Sequence, residues 1–274
     1  MESNTSNKKI WISIGVIVVV IAAVAIVFFV GRGTDKEDSA TGIADDTESV
    51  SPDEFSSSTN EPKASKQWEQ SNSDLFGRDI KVPSNGVGNP LTEQVSTDPS
   101  CDSADSQKAV IQASHAVQTL WSESSGPSAV NEGVPSGYAH TPEGAMLAAW
   151  NSNLLFHRGG DLAQTVLEQS FTGKNAQEAQ DALKGNSAPT SDSAVEMQAP
   201  SAYRITSCDD SRVIGDVAMP LPTDDKGNPD NKSWGVVRVS ATWKDGDWKA
   251  ELDEADQPLE EEVSNLDGWS RWEF

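Results

Sequence analysis

Residues 137–151 read GYAHTPEGAMLAAWN and carry the densest structural signal in the chain. Thr141 is a typical helix N-cap, and Pro142 suits the first helical position, where a backbone N–H would have no partner. The run after it is apolar on nearly every side to about residue 157, which indicates a buried helix. We assign a structural signature for the start of this helix to four residues: His140, Thr141, Pro142 and Gly144.

Two further helices are predicted after this one. Gly159-Gly160 ends the first helix, because glycine is common where helices stop. Asp161 and Gln164 resemble a capping box, and they predict a second helix that ends near Phe171. An alanine-rich stretch predicts a third helix over about residues 175–184.

Beyond residue 200 the apolar period changes from 3.6 to 2, which indicates strands. Residues 202–207 and 212–221 read as two strands. Residues 237–243 and 248–252 read as a hairpin, since Asp245-Gly246 suits a turn with positive φ. Helices followed by strands predict an α+β fold, with helices packed on one face of a curved antiparallel sheet.

The region before the signature is less regular. Residues 75–91 mix short apolar pieces with glycine and proline, as in an extended, turn-rich arm. Within residues 103–121, apolar side chains recur at three-to-four spacing, at Val110, Ala113, Val117 and Leu120 or Trp121. This spacing predicts an amphipathic helix.

Residues 10–30 form an uncharged apolar run, IWISIGVIVVVIAAVAIVFFV. As a helix it would span roughly 31 Å, close to the hydrocarbon core of a bilayer. The small residues Ala23-Val24-Ala25 resemble a signal-peptide cleavage site, but the apolar block after them is unusual for a mature N-terminus. A buried soluble helix would be shorter. The run therefore predicts an uncleaved transmembrane helix.

The flanks of this run predict its orientation and a linker. Lys8 and Lys9 lie in a short tail, residues 1–9, which is expected to stay in the cytoplasm while the long C-terminal part crosses the membrane. Residues 31–75 are acidic and rich in serine and threonine, and such a composition predicts a disordered linker. Residues 76–274 then form one extracytoplasmic α+β domain.

The two cysteines, Cys101 and Cys208, both lie on the predicted outer side of the membrane. An oxidising compartment favours a disulfide between them, although two buried free thiols would also fit. Their spacing to histidine does not suggest zinc.

The sequence offers no pattern that predicts catalysis or a cofactor. His115, His140 and His157 lack metal-ligand spacing, so structural roles are expected for them, and no metal site is predicted. The phosphate-loop, G-x-S-x-G and H-E-x-x-H motifs are missing from the sequence. A net charge of −23 disfavours direct binding of nucleic acid.

Five of the nine tryptophans lie in the C-terminal third. Trp243 and Trp248 fall on the apolar phases of their predicted strands and are expected in the core. Trp269 and Trp272 resemble a C-terminal tail that docks through its indole rings, and a role for them in binding a sugar or peptide is left open.

The run GYAHTPEGAMLAAWN, with GPSAV before it and LDGWSRW near the end, resembles a family of actinobacterial membrane-anchored proteins. That family carries a G-[FY]-A-H-T-P-x-G-A-x-L-A-A signature and has no assigned activity. Its members are similar to accessory proteins of conjugative or type IV-like secretion elements. The resemblance implies a nuclear-transport-factor-like cone and offers no catalytic residues to transfer.

These observations predict a single-pass membrane protein that acts as an extracytoplasmic scaffold or accessory subunit of an envelope machinery, and the resemblance implies one for conjugation or secretion. It would be held to the membrane through residues 10–30 and would bind protein partners in the cell envelope. The alternative is a ligand-binding or enzymatic cone at the cell surface, because such folds often have a pocket at their open mouth.

Overall fold

The structure is a computed structural model that describes residues 67–184, 186–224, 226–230, 232–252 and 261–274. The predicted cytoplasmic tail, the apolar run and most of the predicted linker lie outside these residues. Within the described ranges, none of the helices is long and apolar enough to cross a membrane.

The described chain contains four helices and many short strands. The helices are α1 (Pro142–Arg158), α2 (Leu162–Ser170), α3 (Lys174–Leu183) and α4 (Asp192–Glu196). The strands before α1 are β1 (Trp68–Ser73), β2 (Asp79–Pro83), β3 (Ser106–Lys108), β4 (Val110–Ser114), β5 (Val117–Trp121), β6 (Ala129–Asn131) and β7 (Val134–Ser136). The later strands are β8 (Phe171–Thr172), β9 (Ala202–Cys208), β10 (Arg212–Leu221), β11 (Ser233–Lys244), β12 (Asp247–Glu251), β13 (Glu261–Val263) and β14 (Ser270–Glu273).

These strands form two main sheets and a small hairpin. The larger sheet has the order β3-β14-β9-β10-β11-β12-β8, and β13 pairs with β11 beside this path. The smaller sheet has the order β1-β2-β4-β5, and β6 pairs with β7. The fold is α+β, as predicted. The larger sheet is mixed rather than purely antiparallel, because β3 joins β14 and β8 joins β12 in parallel.

Helix α1 lies at the centre of the core, as its sequence predicts. Of its 17 residues, 13 are buried. One side contacts β5, where Asn151 Oδ1 accepts from Leu120 N at 2.8 Å and Asn151 Nδ2 donates to Leu120 O at 2.8 Å. Another side lies on the larger sheet, so closely that a Cβ atom at Gly215 would be 2.7 Å from Met146 Sδ. A Cβ atom there would also lie 2.9 Å from Arg204 O, so a larger residue would require Met146 and the β9 backbone to shift.

The opposite face of the larger sheet carries charge and the part of the C-terminal segment that precedes β14. Asp216 is fully buried there and accepts hydrogen bonds from Arg204 and Arg238 at 2.8 and 2.9 Å. The ring of Trp269 lies 4.6 Å from the guanidinium carbon of Arg204, and Trp272 packs beside Tyr203 in the main core. Both indoles are buried, which confirms the prediction that they dock the tail.

The helix predicted over residues 103–121 is wrong. This stretch forms β3, β4 and β5, with a turn in which His115 and Ala116 have φ values of 50° and 70°. All of β5 is buried, on both of its faces, so its sequence lacks the alternation that identifies a half-exposed strand. The turn also lacks the Asn-Gly or Asp-Gly pair that usually signals a tight hairpin.

The predicted boundary of the linker and the cap of the second helix also differ from the structure. Strand β1 falls within residues 31–75 and pairs with β2, so ordered structure begins before residue 76. Asp161 precedes α2 but makes no side-chain cap hydrogen bond, since its backbone angles of −67° and −25° are helical rather than extended; its carboxylate accepts from Ser187 Oγ.

Candidate functional site: the junction around His140

The helix start lies where several distant segments meet. Thr141 has extended backbone angles, and its Oγ1 accepts from Gly144 N at 3.2 Å, so it is the N-cap of α1. Pro142 occupies the first helical position. A Cβ atom at Gly144 would lie 2.1 Å from Ala139 O, which explains the glycine by the close passage of the preceding backbone. The four residues assigned to the signature thus form the helix start.

His140 is buried and uses both ring nitrogens inside the fold. Its Nδ1 lies 3.2 Å from Thr97 O, and its Nε2 lies 2.6 Å from Asp210 O. The ring stacks on Trp243 with centroids 3.8 Å apart, and Trp248 meets it edge-on at 5.3 Å. We refer to Thr97, His140, Asp210, Trp243 and Trp248 as the junction.

The backbone around His140 is held as firmly as its side chain. His140 N donates to Ser96 O at 2.8 Å, and Ser100 N donates to His140 O at 3.1 Å. Trp248 Nε1 donates to Ala139 O at 2.8 Å. The segment before α1 therefore pins the loop around residues 96–100 to the β11–β12 hairpin.

Asp247 binds the backbone just before His140 and so also holds this segment to the β11–β12 hairpin. Its two carboxylate oxygens accept from Gly137 N and Tyr138 N, each at 2.9 Å. Sequence reasoning did not identify Asp247, because a polar residue next to the Asp245-Gly246 turn is ordinary and does not by itself indicate a distant partner. Burial raises the pKa of the neighbouring Tyr138, so its hydroxyl stays neutral. It accepts from Asn151 Nδ2 at 3.1 Å.

Glu143 is a buried carboxylate in the first turn of α1. It accepts from Ala104 N at 2.8 Å and from the Tyr203 hydroxyl at 3.1 Å. Burial raises the pKa of Tyr203, which keeps its hydroxyl protonated as a donor. Glu143 therefore connects the helix to the segment before β3 and to β9.

The disulfide predicted between Cys101 and Cys208 is present, with Cα atoms 5.8 Å apart. Cys101 follows Ser100, and Cys208 lies two residues before Asp210. The covalent bond thus joins the same two segments that His140 joins by hydrogen bonds.

The remaining titratable candidates do not converge with His140. Asp209 lies in an exposed turn, where the hydrogen bond from Ser211 Oγ lowers the pKa of its carboxyl. His115 Nε2 lies 2.8 Å from Gly133 O, whereas His157 is half-buried near the end of α1 and burial lowers its pKa to about 4. Within the described ranges, no three His, Cys, Asp or Glu residues are placed to hold a metal ion.

A cleft of about 860 Å³ opens beside the junction. The β6–β7 hairpin forms one wall and the β11–β12 turn the other. Its polar wall includes Glu132, Gln169, Asp245 and Lys249. The cleft can admit a small polar molecule, although both oxygens of Asp247 are already occupied by backbone N–H groups.

Residues 81–271 match the family described as a domain of unknown function (DUF8175), and the chain belongs to that family. No curated protein and no solved structure matches the chain.

Proposed function

We propose that this DUF8175 protein is a membrane-anchored, extracytoplasmic scaffold or accessory subunit that binds other proteins and does not catalyse a reaction. Residues 10–30 would anchor it, with the N-terminus in the cytoplasm and the C-terminal domain outside. The resemblance to accessory proteins of conjugative or type IV-like secretion elements suggests an envelope machinery of that kind. The same resemblance supports a nuclear-transport-factor-like cone as the fold of the C-terminal domain, and this fold is part of the proposal.

One observation carries the proposal: the polar groups of the signature are used to assemble the domain. Both ring nitrogens of His140 face backbone carbonyls, and Thr141 caps α1. Glu143 accepts from a backbone N–H and a tyrosine hydroxyl. A general acid or base needs a side chain that can reach a substrate. These side chains instead fix loops to one another, which supports a rigid platform for protein binding.

The experiment compares stability with partner binding in the same variants. Full-length wild type, His140→Ala, Thr141→Ala and Thr141→Ser are expressed in the host membrane and crosslinked in cells. If the signature is structural, the yield of each partner adduct should follow the thermal stability of the variant. Loss of a partner or ligand by His140→Ala at unchanged stability would contradict the proposal.

Topology is tested separately, by adding protease to intact protoplasts. The proposed orientation predicts digestion of everything beyond the apolar run at residues 10–30. Full protection of the C-terminal domain would show that the orientation is wrong.

A second candidate is a ligand-binding domain, and the cleft beside the junction is the observation that favours it. Replacing Ser136, which lines the cleft, with tryptophan would fill part of it. A ligand-binding domain should lose ligand binding in Ser136→Trp while its thermal stability stays unchanged. A scaffold should instead keep its crosslinked partner adducts in this variant.

A further inference from the structure

The turn between β1 and β2, together with Phe274, presents large apolar side chains to solvent. The exposed fractions are 73% for Leu75, 39% for Phe76 and 45% for Phe274, and we call these three residues the apolar corner. Among the described residues, Val195 is the only other large apolar side chain exposed to this degree. Such clustering on a protein of net charge −23 indicates a binding surface rather than random exposure.

The turn that carries Leu75 and Phe76 is held rigidly. Asp74 Oδ1 accepts from Phe76 N and from Arg78 N, both at 2.8 Å, and Gly77 N donates to Asp74 O at 3.2 Å. Gly77 has a φ of 75°, which glycine adopts without strain. Leu75 N also donates to Gln198 Oε1 at 3.4 Å. Because the turn is already ordered, a partner would not have to order it on binding.

Arg78 lies under the apolar corner and connects its parts. The guanidinium carbon is 5.8 Å from the centroid of the Phe76 ring and 4.9 Å from that of Phe274. Its Nε is paired with Asp74 Oδ2 at 2.5 Å, and its Nη2 donates to Ala199 O at 2.7 Å. The Nη1 atom is buried and has no hydrogen-bond partner among the described residues. Because Nη1 is buried, Arg78 supports the two rings from below rather than meeting a partner.

We propose that the apolar corner is the docking site for an apolar peptide segment of another protein, a segment without net negative charge. Its side chains would pack on Leu75, Phe76 and Phe274. This inference rests on the proposed scaffold function and names the surface and the chemistry of the partner.

The charge of the protein and the small area of the apolar corner favour an apolar peptide segment over an acidic segment, a second copy of the chain or an anionic membrane. Asp74 already neutralises Arg78, so the apolar corner has no unpaired positive charge to attract an acidic segment. A second copy would bring another −23 charges, and three side chains offer far less than the roughly 800 Å² per partner of a stable dimer. An anionic membrane surface is disfavoured by the same charge.

Photocrosslinking identifies the occupant directly. A photoreactive phenylalanine analogue replaces Leu75 in the full-length chain in the host membrane, and a matched control carries it at Glu178, which is 62% exposed on α3. Mass spectrometry then locates the crosslinked peptide. We expect, at position 75 only, an apolar segment of a different protein without net negative charge. Adducts with a second copy, with lipid or with an acidic segment, or a yield no higher than at position 178, would overturn the proposal.

Variants then test the anchors with a synthetic peptide of the captured sequence. Leu75→Ser should weaken binding by about tenfold or more, as expected for a central anchor, whereas Leu75→Met should bind as the wild type does. Arg78→Lys keeps the charge but loses the guanidinium that lies against Phe76 and Phe274, so the rings should lose their support and binding should also weaken. Thermal unfolding of each variant identifies any that fail to fold. Wild-type affinity in both Leu75→Ser and Phe76→Ser would refute the docking site.

The two proposals can fail separately. If position 75 captures nothing while analogues at other surface positions capture envelope proteins, the apolar corner is wrong and the scaffold function stands. If no surface position captures a protein, both are wrong.

Discussion

The imidazole of His140 stacks on the indole of Trp243, with ring centroids 3.8 Å apart and planes within 7° of parallel. These residues are distant in sequence, and their contact joins the start of α1 to the end of strand β11. The two ring nitrogens of the same imidazole lie within hydrogen-bonding distance of Thr97 O and Asp210 O. One side chain thus holds together a loop, a helix start and a hairpin.

We therefore predict that His140→Ala lowers the free energy of unfolding by about 1–3 kcal/mol, the sum of one hydrogen bond and one aromatic contact, because an imidazole with a single N–H can donate to only one of the two carbonyls. Chemical denaturation followed by tryptophan fluorescence measures this change. In a double-mutant cycle with Trp243→Phe, the two residues should show a coupling of about 0.5–1.5 kcal/mol. A coupling near zero would mean that the stacked rings do not stabilise the fold.

The cap gives a second prediction. Thr141→Ala removes the acceptor for Gly144 N and should cost about 0.5–2 kcal/mol, whereas Thr141→Ser keeps the hydroxyl and should cost little. Thermal unfolding of both variants beside the wild type tests this. Equal destabilisation by alanine and serine would indicate that the methyl group, not the hydroxyl, is the important part of Thr141.

Local chemistry made part of the fold predictable. The start of α1 follows from the cap and the proline, and its end follows from Gly159, which has a φ of 74°. The β11–β12 hairpin follows from Asp245-Gly246, whose φ values are 56° and 80°. In both cases the residues that determine the structure are neighbours in sequence.

Long-range contacts explain what could not be predicted. Gln112 is polar yet buried in β4, because its side-chain amide bonds to the backbone N–H and carbonyl of Asn89 in an earlier segment. A sequence pattern cannot show that such partners will be present. The partners of His140 were missed for the same reason, because Thr97, Asp210 and Trp243 come from three distant segments.

Asp247 allows a third prediction with a matched control. Asp247→Asn places an N–H group opposite Gly137 N or Tyr138 N and should cost about 1–3 kcal/mol. Asp245→Asn removes an equal charge two residues away, in a turn position that asparagine also tolerates, and should change stability by less than about 0.5 kcal/mol. Urea denaturation of both variants gives the comparison. Similar costs would show that charge, rather than the two hydrogen bonds, matters at Asp247.

The disulfide and His140 tie the same segments, so their effects should be coupled. The cysteines are 107 residues apart, and removing the bond with Cys101→Ser and Cys208→Ser should cost up to about 4–5 kcal/mol in the chain-entropy model. His140→Ala should then cost more in the disulfide-free protein than in the intact one. Denaturation curves of the four proteins measure this. Alkylatable thiols in protein taken from the native envelope would contradict the disulfide itself.

His157 provides a prediction about pH. Burial lowers the pKa of His157 to about 4, whereas in the unfolded chain it is near 6.5. Between these values the unfolded state binds the proton more strongly, so the folded state loses stability as the pH falls from about 6.5 to about 4. His157→Gln should make this loss of stability smaller, while the carboxylates and other histidines contribute equally to both proteins. Urea denaturation at several pH values between 4 and 8 gives the difference. Parallel stability curves for wild type and His157→Gln would show that His157 keeps an ordinary pKa in the folded protein.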